Sequence, residues 1–410
     1  LDYIYNFSDD WFSHFKIKMI LQNKVRFEKK LILIYGFGKS GKACFKYLKK
    51  KNNIKIYDDK LQNISKKNKK YILNKRELNF LNFDFIVISP GIDSKKCSLK
   101  NFLLKNKNKI INELDIFHLE NPKNIKISIT GTNGKSTTSK IIFDILKYHK
   151  KDVRLVGNIG NPILNETKIK PRTVFVIEVS SYQIEYSKYF KSQYSLILNI
   201  SPDHLERHGN LKNYVKAKCK LLKRQSNKDF ALIEKNNILI DREIRNNKFK
   251  SKIIPIDLKK DIKMENVKNK YFENLNNINN LKFIFQLSKL FKLNNKIILK
   301  VINKFSGLNY RQQITHQNKN LIIINDSKST SFSSSINLLK SYKNIYWIAG
   351  GQSKKGDKFV LDQKYYKNIK AYLFGKNKNF FAYKLKKKIK FKKFKNILNC
   401  LINIKKDIKK

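Results

Sequence analysis

Cysteine is scarce in this sequence, and acid is far scarcer than base. Four cysteines, at positions 44, 97, 219 and 400, are spread over 410 residues and form no CxxC pair. That argues against a disulfide framework or a zinc site and suits a reducing, cytoplasmic setting. No run of 18 or more apolar residues occurs, so no transmembrane helix is expected. The first fifteen residues mix acids, aromatics and polar groups, without the basic-then-apolar order of a signal peptide. The chain opens with Leu, not Met, and its natural start is expected upstream. Asp and Glu number 31 against 89 Lys and Arg, a formal net charge of +58. Such an imbalance is the footprint of nucleic-acid or membrane-surface binders. Here the lysines are spread along the whole chain, and Lys, Asn and Ile, all abundant, share A/T-rich codons. The charge therefore reads as compositional bias that attracts anionic nucleotides weakly, and no specific nucleic acid and no membrane partner is expected.

What is present is an alternation of short apolar runs and helical stretches. Strands are predicted at 31–35, 54–57, 84–89, 125–129, 173–179, 194–200, 321–325, 345–349 and 371–374. Helices are predicted at 40–50, 136–149, 211–225, 279–291 and 331–341. Continuous apolar strands separated by helices indicate parallel sheets covered on both faces, an α/β fold. Pro122 and the Ser306–Gly307 pair mark boundaries. The reading is three domains: a Rossmann-like unit over 1–122, a P-loop-type ATPase unit over 123–305, and a Rossmann-like, truncated unit over 306–410. Residues 235–275 are polar, rich in Asn and Lys, and give little pattern.

The strongest local signal runs Gly131-Thr132-Asn133-Gly134-Lys135-Ser136-Thr137, after an apolar strand and before a helix. Glycines let backbone N–H groups wrap a phosphate, and a helix N-terminus adds the positive end of its dipole. Lys135 would reach the outer phosphates and the Ser136 hydroxyl a Mg²⁺ ion. The first glycine falls two positions later than in the general GxxxxGK[ST] loop, so this loop is short. A second glycine loop, Gly36-Phe37-Gly38-Lys39-Ser40-Gly41, follows strand 31–35, and Asp58 ends the next strand. A diphosphate at a helix N-terminus and an acid on a sugar hydroxyl fit that pattern, whether in NAD, FAD or a UDP-sugar. Glu178 lies at the C-terminal end of the strand predicted at 173–179, and His204 follows the one predicted at 194–200. Ligands gather at carboxyl ends of strands, so Ser136, Glu178 and His204 are expected to share one crevice. Glu178 offers the oxygen donor that Mg²⁺ prefers; His204 is a less usual ligand for that ion.

Together, ITGTNGKSTT (129–138), GNIG (157–160), EVSSYQIE (178–185) and NISPDHLERH (199–208) resemble the Mur ligase family, and most of all its D-glutamate-adding member. The resemblance runs from about residue 31 to 375 and is patchy over 235–275. It implies ATP-dependent ligation of D-glutamate to UDP-N-acetylmuramoyl-L-alanine through an acyl phosphate, in peptidoglycan precursor synthesis, by a monomer. It further implies that Gly131 to Thr137 bind ATP phosphates and that Ser136 and Glu178 hold one Mg²⁺. His204 and a carbamylated Lys218 would hold a second; from the residues alone, Lys218 reads as one more surface lysine. Asn158 would contact the UDP-sugar, while Gly36, Gly38, Gly41 and Asp58 would hold the uridine diphosphate. Asn277 and Asn280 would bind adenine, although Asn276 stands where the family has His.

In the last unit, Gly307-Leu308-Asn309-Tyr310-Arg311 resembles a G-L-x-H-R segment with Tyr310 in place of His, which implies that Arg311 contacts the nucleotide phosphates. Asn325 to Thr330 resembles N-D-S-K-A-T, implying Asp326 on the ribose and Lys328 and Thr330 at the acceptor. Lys354 would pair with the glutamate carboxylate. The family continues past a helix like 395–404 into a strand and a loop that helps hold D-glutamate, and this sequence stops before them; reduced activity of the 410-residue form is expected. Another Mur or folylpolyglutamate-type ligase, a nucleotide-binding homologue without turnover, and an NAD-dependent oxidoreductase using the first glycine loop are the competing readings.

Overall fold

The computed structural model of the chain describes residues 27–60, 64–260, 266–273, 275–329, 331–352 and 358–408. They fall into two compact units. The first holds the described residues up to Gly131 together with Lys150–Ile197 and Lys212–Pro255. The second holds Thr132–His149, Leu198–Leu211 and the described residues from Ile256 onward.

The first unit contains both large sheets. Strands β1 (Leu31–Tyr35), β2 (Asn53–Tyr57), β3 (Phe85–Ile88) and β4 (Ile110–Ile111) form a parallel sheet in the order β2-β1-β3-β4. The second sheet comprises β5 (Ile125–Thr130), β6 (Val153–Gly157), β7 (Val174–Glu178), β8 (Tyr194–Ile197), β9 (Phe230–Glu234) and β10 (Lys252–Ile256), in the order β10-β9-β8-β5-β7-β6. β7 is buried at every position. That is why the central strands read as unbroken apolar runs: each lies between covering layers and has no solvent face to mark with polar residues. One apolar core runs through this unit, from Ile32 and Ile34 of β1 through Phe117 to Phe175 and Ile177 of β7. Phe117 and Phe175 meet edge to face, with ring centroids 4.7 Å apart. At the start of β5, fully buried Lys126 donates from Nζ to the carbonyls of Asn121 at 2.6 Å and Asn124 at 2.9 Å. The segment containing Pro122 is thus tied to β5 by a lysine.

In the second unit, the helix Lys135–Tyr148 packs with the helices Leu275–Leu290 and Asn295–Lys304. Strands β13 (Ile345–Gly350), β14 (Ile369–Phe374) and β15 (Lys390–Lys393) form a parallel sheet with its own core around Phe332, Leu373 and Leu385. β11 (Gln313–Gln317) and β12 (Ile322–Asn325) form a separate antiparallel pair. The strand predicted at 321–325 is therefore real, but it belongs to a hairpin. A four-residue connector cannot hold the crossover a parallel pair needs. The unread stretch 235–275 contains the helix Ile238–Asn247 and β10, whose sparse apolar positions are diluted by Asn and Lys.

Candidate functional site

In the first unit, the glycine loop after β1 joins that strand to the helix Lys39–Leu48. Its three glycines meet different demands. Gly36 sits at φ +91, a conformation side-chain residues avoid, and receives the Ser89 hydroxyl on its carbonyl at 2.7 Å. A side chain on Gly41 would collide with that same carbonyl, so Gly41 lets helix and strand approach. Gly38, the helix N-cap, has open space where a side chain would be. Asp58 turns back to this loop: its Oδ2 accepts the Phe37 N–H at 2.5 Å and its Oδ1 the Lys60 N–H at 2.8 Å. The acid expected at a sugar hydroxyl thus also braces the loop. Glu113 accepts a hydrogen bond from the Ser40 hydroxyl and another from the Leu164 N–H, linking this loop to the turn that follows GNIG. Burial raises the Glu113 carboxyl above its ordinary value.

Also in this unit, Glu178 closes β7 and is 1 % exposed. Asn158 meets it twice: its Nδ2 donates to Oε1 at 2.7 Å, and its N–H donates to the Glu178 carbonyl at 2.9 Å. Gly157, at φ +102, allows the approach, since a side chain there would strike that carbonyl. The sequence placed these two residues on a metal and on a sugar; the fold makes them one hydrogen-bonded pair. Lys218 corrects the plain sequence reading. It is no surface lysine: 1 % exposed, it donates from Nζ to the Gly131 carbonyl at 2.9 Å and lies 4.6 Å from the Tyr214 ring centre. Its helix, Leu211–Cys219, turns Tyr214, Val215 and Lys218 inward together.

The second unit holds the rest of the phosphate loop. Gly134, at φ +82, caps the helix Lys135–Tyr148, and a side chain on it would run into Asn280. Ser136 and Thr137 are buried in the first helical turn. The N–H groups of Thr132 and Asn133 are not aimed at a phosphate. They donate to the carbonyl and side-chain oxygens of Asn199, at 3.0 and 2.8 Å. Lys135 folds back, its Nζ donating to the Thr132 carbonyl at 2.7 Å. A line of contacts leads away from the loop. The Thr137 Oγ1 lies 3.3 Å from the Tyr271 hydroxyl. Asn277 donates to the Tyr271 carbonyl at 2.8 Å and to Gln312 Oε1 at 3.4 Å. The Gln312 N–H in turn donates to Asp326 Oδ1 at 3.1 Å. Burial raises the Asp326 carboxyl, offset in part by the Ser329 hydroxyl, the Gln312 N–H and nearby Arg311. Lys328 is exposed, its Nζ 5.7 Å from the Tyr310 ring centre. Thr330 and Lys354 lie outside the described residues.

His204 adopts a left-handed backbone, φ +54, at the start of the helix Leu205–His208. Its ring nitrogens face Asp203 Oδ2 at 3.4 Å and Glu206 Oε1 at 3.5 Å. Asn199, Tyr271 and Gln312 were missed by sequence reasoning. Asn199 had a signal, its place in NISPDHLERH, whereas Tyr271 sits in the stretch that gave no pattern.

The fit to a nucleotide rests on Asn280. It is 3 % exposed, lies against Gly134, and its Nδ2 has no hydrogen-bond partner in the described structure. A buried donor left unmatched is costly, and a ligand acceptor would satisfy it. For a metal, Glu178 in the first unit and Ser136 in the second each offer a buried oxygen donor. Among the described residues, no three His, Cys, Asp or Glu side chains are grouped to hold an ion. A buried carboxylate or hydroxyl oxygen of this kind suits a hard cation completed by phosphate and water oxygens.

Parallel α/β sheets and a strand–glycine loop–helix turn define a nucleotide-phosphate-binding protein. Comparison with known proteins narrows the class. Residues 129–310 match the Mur ligase middle domain. The chain is 32% identical over 384 residues to a UDP-N-acetylmuramoylalanine–D-glutamate ligase of Rickettsia bellii, covering 87% of this chain and 84% of that one. It is 35% identical over 376 residues to the enzyme of the same name from Buchnera aphidicola, covering 85% and 84%. Among solved structures, MurF of Acinetobacter baumannii aligns with a TM-score of 0.58 at 15% identity, covering 72% of this chain and 73% of that one. MurF of Thermotoga maritima, in complex with ADP, aligns at 0.55 and 14% identity, covering 94% and 89%. The chain belongs to the Mur ligase family.

Proposed function

We propose that this chain joins D-glutamate to UDP-N-acetylmuramoyl-L-alanine at the cost of ATP, in peptidoglycan precursor synthesis, acting in the cytoplasm as a monomer. A free carboxylate does not form an amide at neutral pH, because oxide is a poor leaving group. Transfer of the ATP γ-phosphoryl to the alanyl carboxylate gives an acyl phosphate. The D-glutamate amine then attacks it and phosphate departs. The chain's own residues bind, orient and neutralise charge in this scheme. Gly131, Gly134, Lys135, Ser136 and Thr137 take the phosphates, with Thr132 and Asn133 as the braced part of the loop that carries them, and the Lys135 ammonium leaves the Thr132 carbonyl to meet the transferring group. Asn277 and Asn280 take adenine, Asp326 the ribose and Arg311 a phosphate. Gly36, Gly38, Gly41 and Asp58 take the uridine diphosphate, Asn158 the sugar, and Lys328, Thr330 and Lys354 the acceptor. Ser136 and Glu178 would hold one Mg²⁺, and His204 with Lys218 as its carbamate a second. Bound there, the cations would offset phosphoryl charge. We assign these roles across three domains, 1–122, 123–305 and 306–410.

The observation that carries this reading is the orphaned Asn280 amide beside Gly134 in a family whose named relatives are D-glutamate ligases. Phosphate release tests it, with ATP, Mg²⁺, the UDP-substrate and D-Glu, L-Lys, meso-diaminopimelate or a folate in turn. D-Glu alone should support turnover, with one amide per phosphate. Faster turnover with another acceptor, or none with D-Glu, overturns it.

A further inference from the structure

The phosphate loop of this chain is two residues shorter than the general pattern, and something must supply the support that the missing turn would give. In the structure that support comes from the segment after β8. Asn199 grips the loop three times: its carbonyl accepts the Thr132 N–H at 3.0 Å, its Oδ1 accepts the Asn133 N–H at 2.8 Å, and its Nδ2 donates to the Asn133 carbonyl at 3.0 Å. Two residues on, Ser201 completes the clasp. Its N–H donates to the Thr132 hydroxyl at 3.0 Å, and that hydroxyl donates to the Ser201 carbonyl at 3.1 Å. With Lys135 on its carbonyl, Thr132 has its N–H, hydroxyl and carbonyl all engaged. Thr132 and Asn133 are thereby fixed as a scaffold.

We propose that Asn199 is the positioning residue of the phosphate loop. It does the work of the missing loop turn, holding 132–133 so that the backbone from Gly134 onward stays in the shape that accepts a polyphosphate. It touches no substrate in this scheme; it acts through Thr132 and Asn133. The inference rests on the reading of residues 131–137 as an ATP-phosphate site and adds the part that keeps that site open before the nucleotide arrives. Preorganisation of this kind changes nucleotide affinity and leaves affinity for the other substrates alone. Asn199 is well suited to it, because a side-chain amide both accepts and donates from one short, uncharged planar group.

The test compares the full chain with Asn199→Asp, Asn199→Ala and Thr132→Val, using ADP as the probe in calorimetry and far-ultraviolet circular dichroism as the check on folding. Asp keeps the acceptor and loses the donor; Val keeps the Thr shape and releases Ser201 from the opposite side. Each variant should weaken ADP about tenfold or more, the scale of one or two lost hydrogen bonds. In the two Asn199 variants KM for ATP should rise with it, while KM for the UDP-substrate and kcat at saturating ATP stay within about twofold, a split that a merely structural role would not produce. The Asp variant should be weakened further at low salt, where its charge opposes the phosphates. Should Asn199→Ala fail to fold, Asn199→Asp carries the same test. ADP binding within about twofold of wild type in the folded variants overturns the proposal alone. Failure of the wild type to bind ADP overturns the nucleotide reading, and this proposal with it.

Discussion

Asn158 and Glu178 hold each other at two points, side chain to side chain at 2.7 Å and backbone to backbone at 2.9 Å. The pair fixes a carboxylate at the end of β7 that is 1 % exposed. Glu178→Gln preserves the shape and removes the charge. It should lower kcat about 10²–10³-fold, the cost typical of losing one charge-stabilising group, and raise the Mg²⁺ concentration needed for half-maximal rate. Initial rates over a Mg²⁺ titration measure both. An unchanged Mg²⁺ dependence would remove Glu178 from the metal site.

Lys218 is buried against the Gly131 carbonyl and the Tyr214 ring. Only its neutral amine can take up CO₂, and a carbamate would convert this cation into an oxygen donor. With ¹³C-labelled CO₂, the wild type should show a carbamate resonance that Lys218→Met lacks, and the variant should lose turnover while still binding the UDP-substrate. Absence of the resonance in active wild type would restrict Lys218 to a packing role.

The glycines of the first loop separate fold from binding. Gly41→Ala pushes a methyl into the Gly36 carbonyl and should destabilise the chain by about 1–3 kcal/mol, as overpacking does. Gly38→Ala meets open space and should leave Tm almost unchanged. It should nevertheless raise KM for the UDP-substrate about tenfold or more, because the methyl fills the approach a diphosphate needs. Thermal melts and KM measured on both variants give a crossed result if the loop is a ligand site and a parallel one if it is not.

Asn280 offers a donor that nothing in the described structure accepts. Asn280→Ala therefore removes a polar atom that is a burden without ligand. The ligand-free variant should be no less stable than expected for the lost packing, within about 1 kcal/mol of wild type, whereas its affinity for ADP should fall about tenfold. Equal ADP affinity would show that the amide does not meet the nucleotide.

Burial, with Lys191 nearby, lowers the Lys126 ammonium to about 7. Its unfolded value is near 10.4. Between these two pH values the unfolded chain holds the proton that the folded chain has released, so stability from this group rises with pH across the window. Below about 7 both states carry the charge, and the folded state bears the full cost of burying it. Relative to Lys126→Met, the wild type should gain at most about 1.4 kcal/mol per pH unit between pH 7 and 10. Denaturant melts of both proteins at several pH values test the sign; a difference that is flat or falling contradicts it.

Much of this architecture is readable in the sequence. Strands β1, β5 and β7, the glycine loops 36–41 and 131–137, and the helix from Lys135 all follow from patterns only a few residues long. Apolar runs bury themselves, glycines take backbone shapes other residues avoid, and a helix begins where the loop ends. The family resemblance likewise rests on short motifs in a set order.

Other features depended on residues meeting across long stretches of chain. Thr137 reaches Tyr271, Asn158 reaches Glu178, and Asn199 closes the phosphate loop. Such pairs are set by strand order and register, and local composition does not encode these. Lys218 is the sharpest case. In a chain with 89 basic residues, one buried lysine has the same local signature as the many exposed ones, and only the packing of its helix decided that it lies inside.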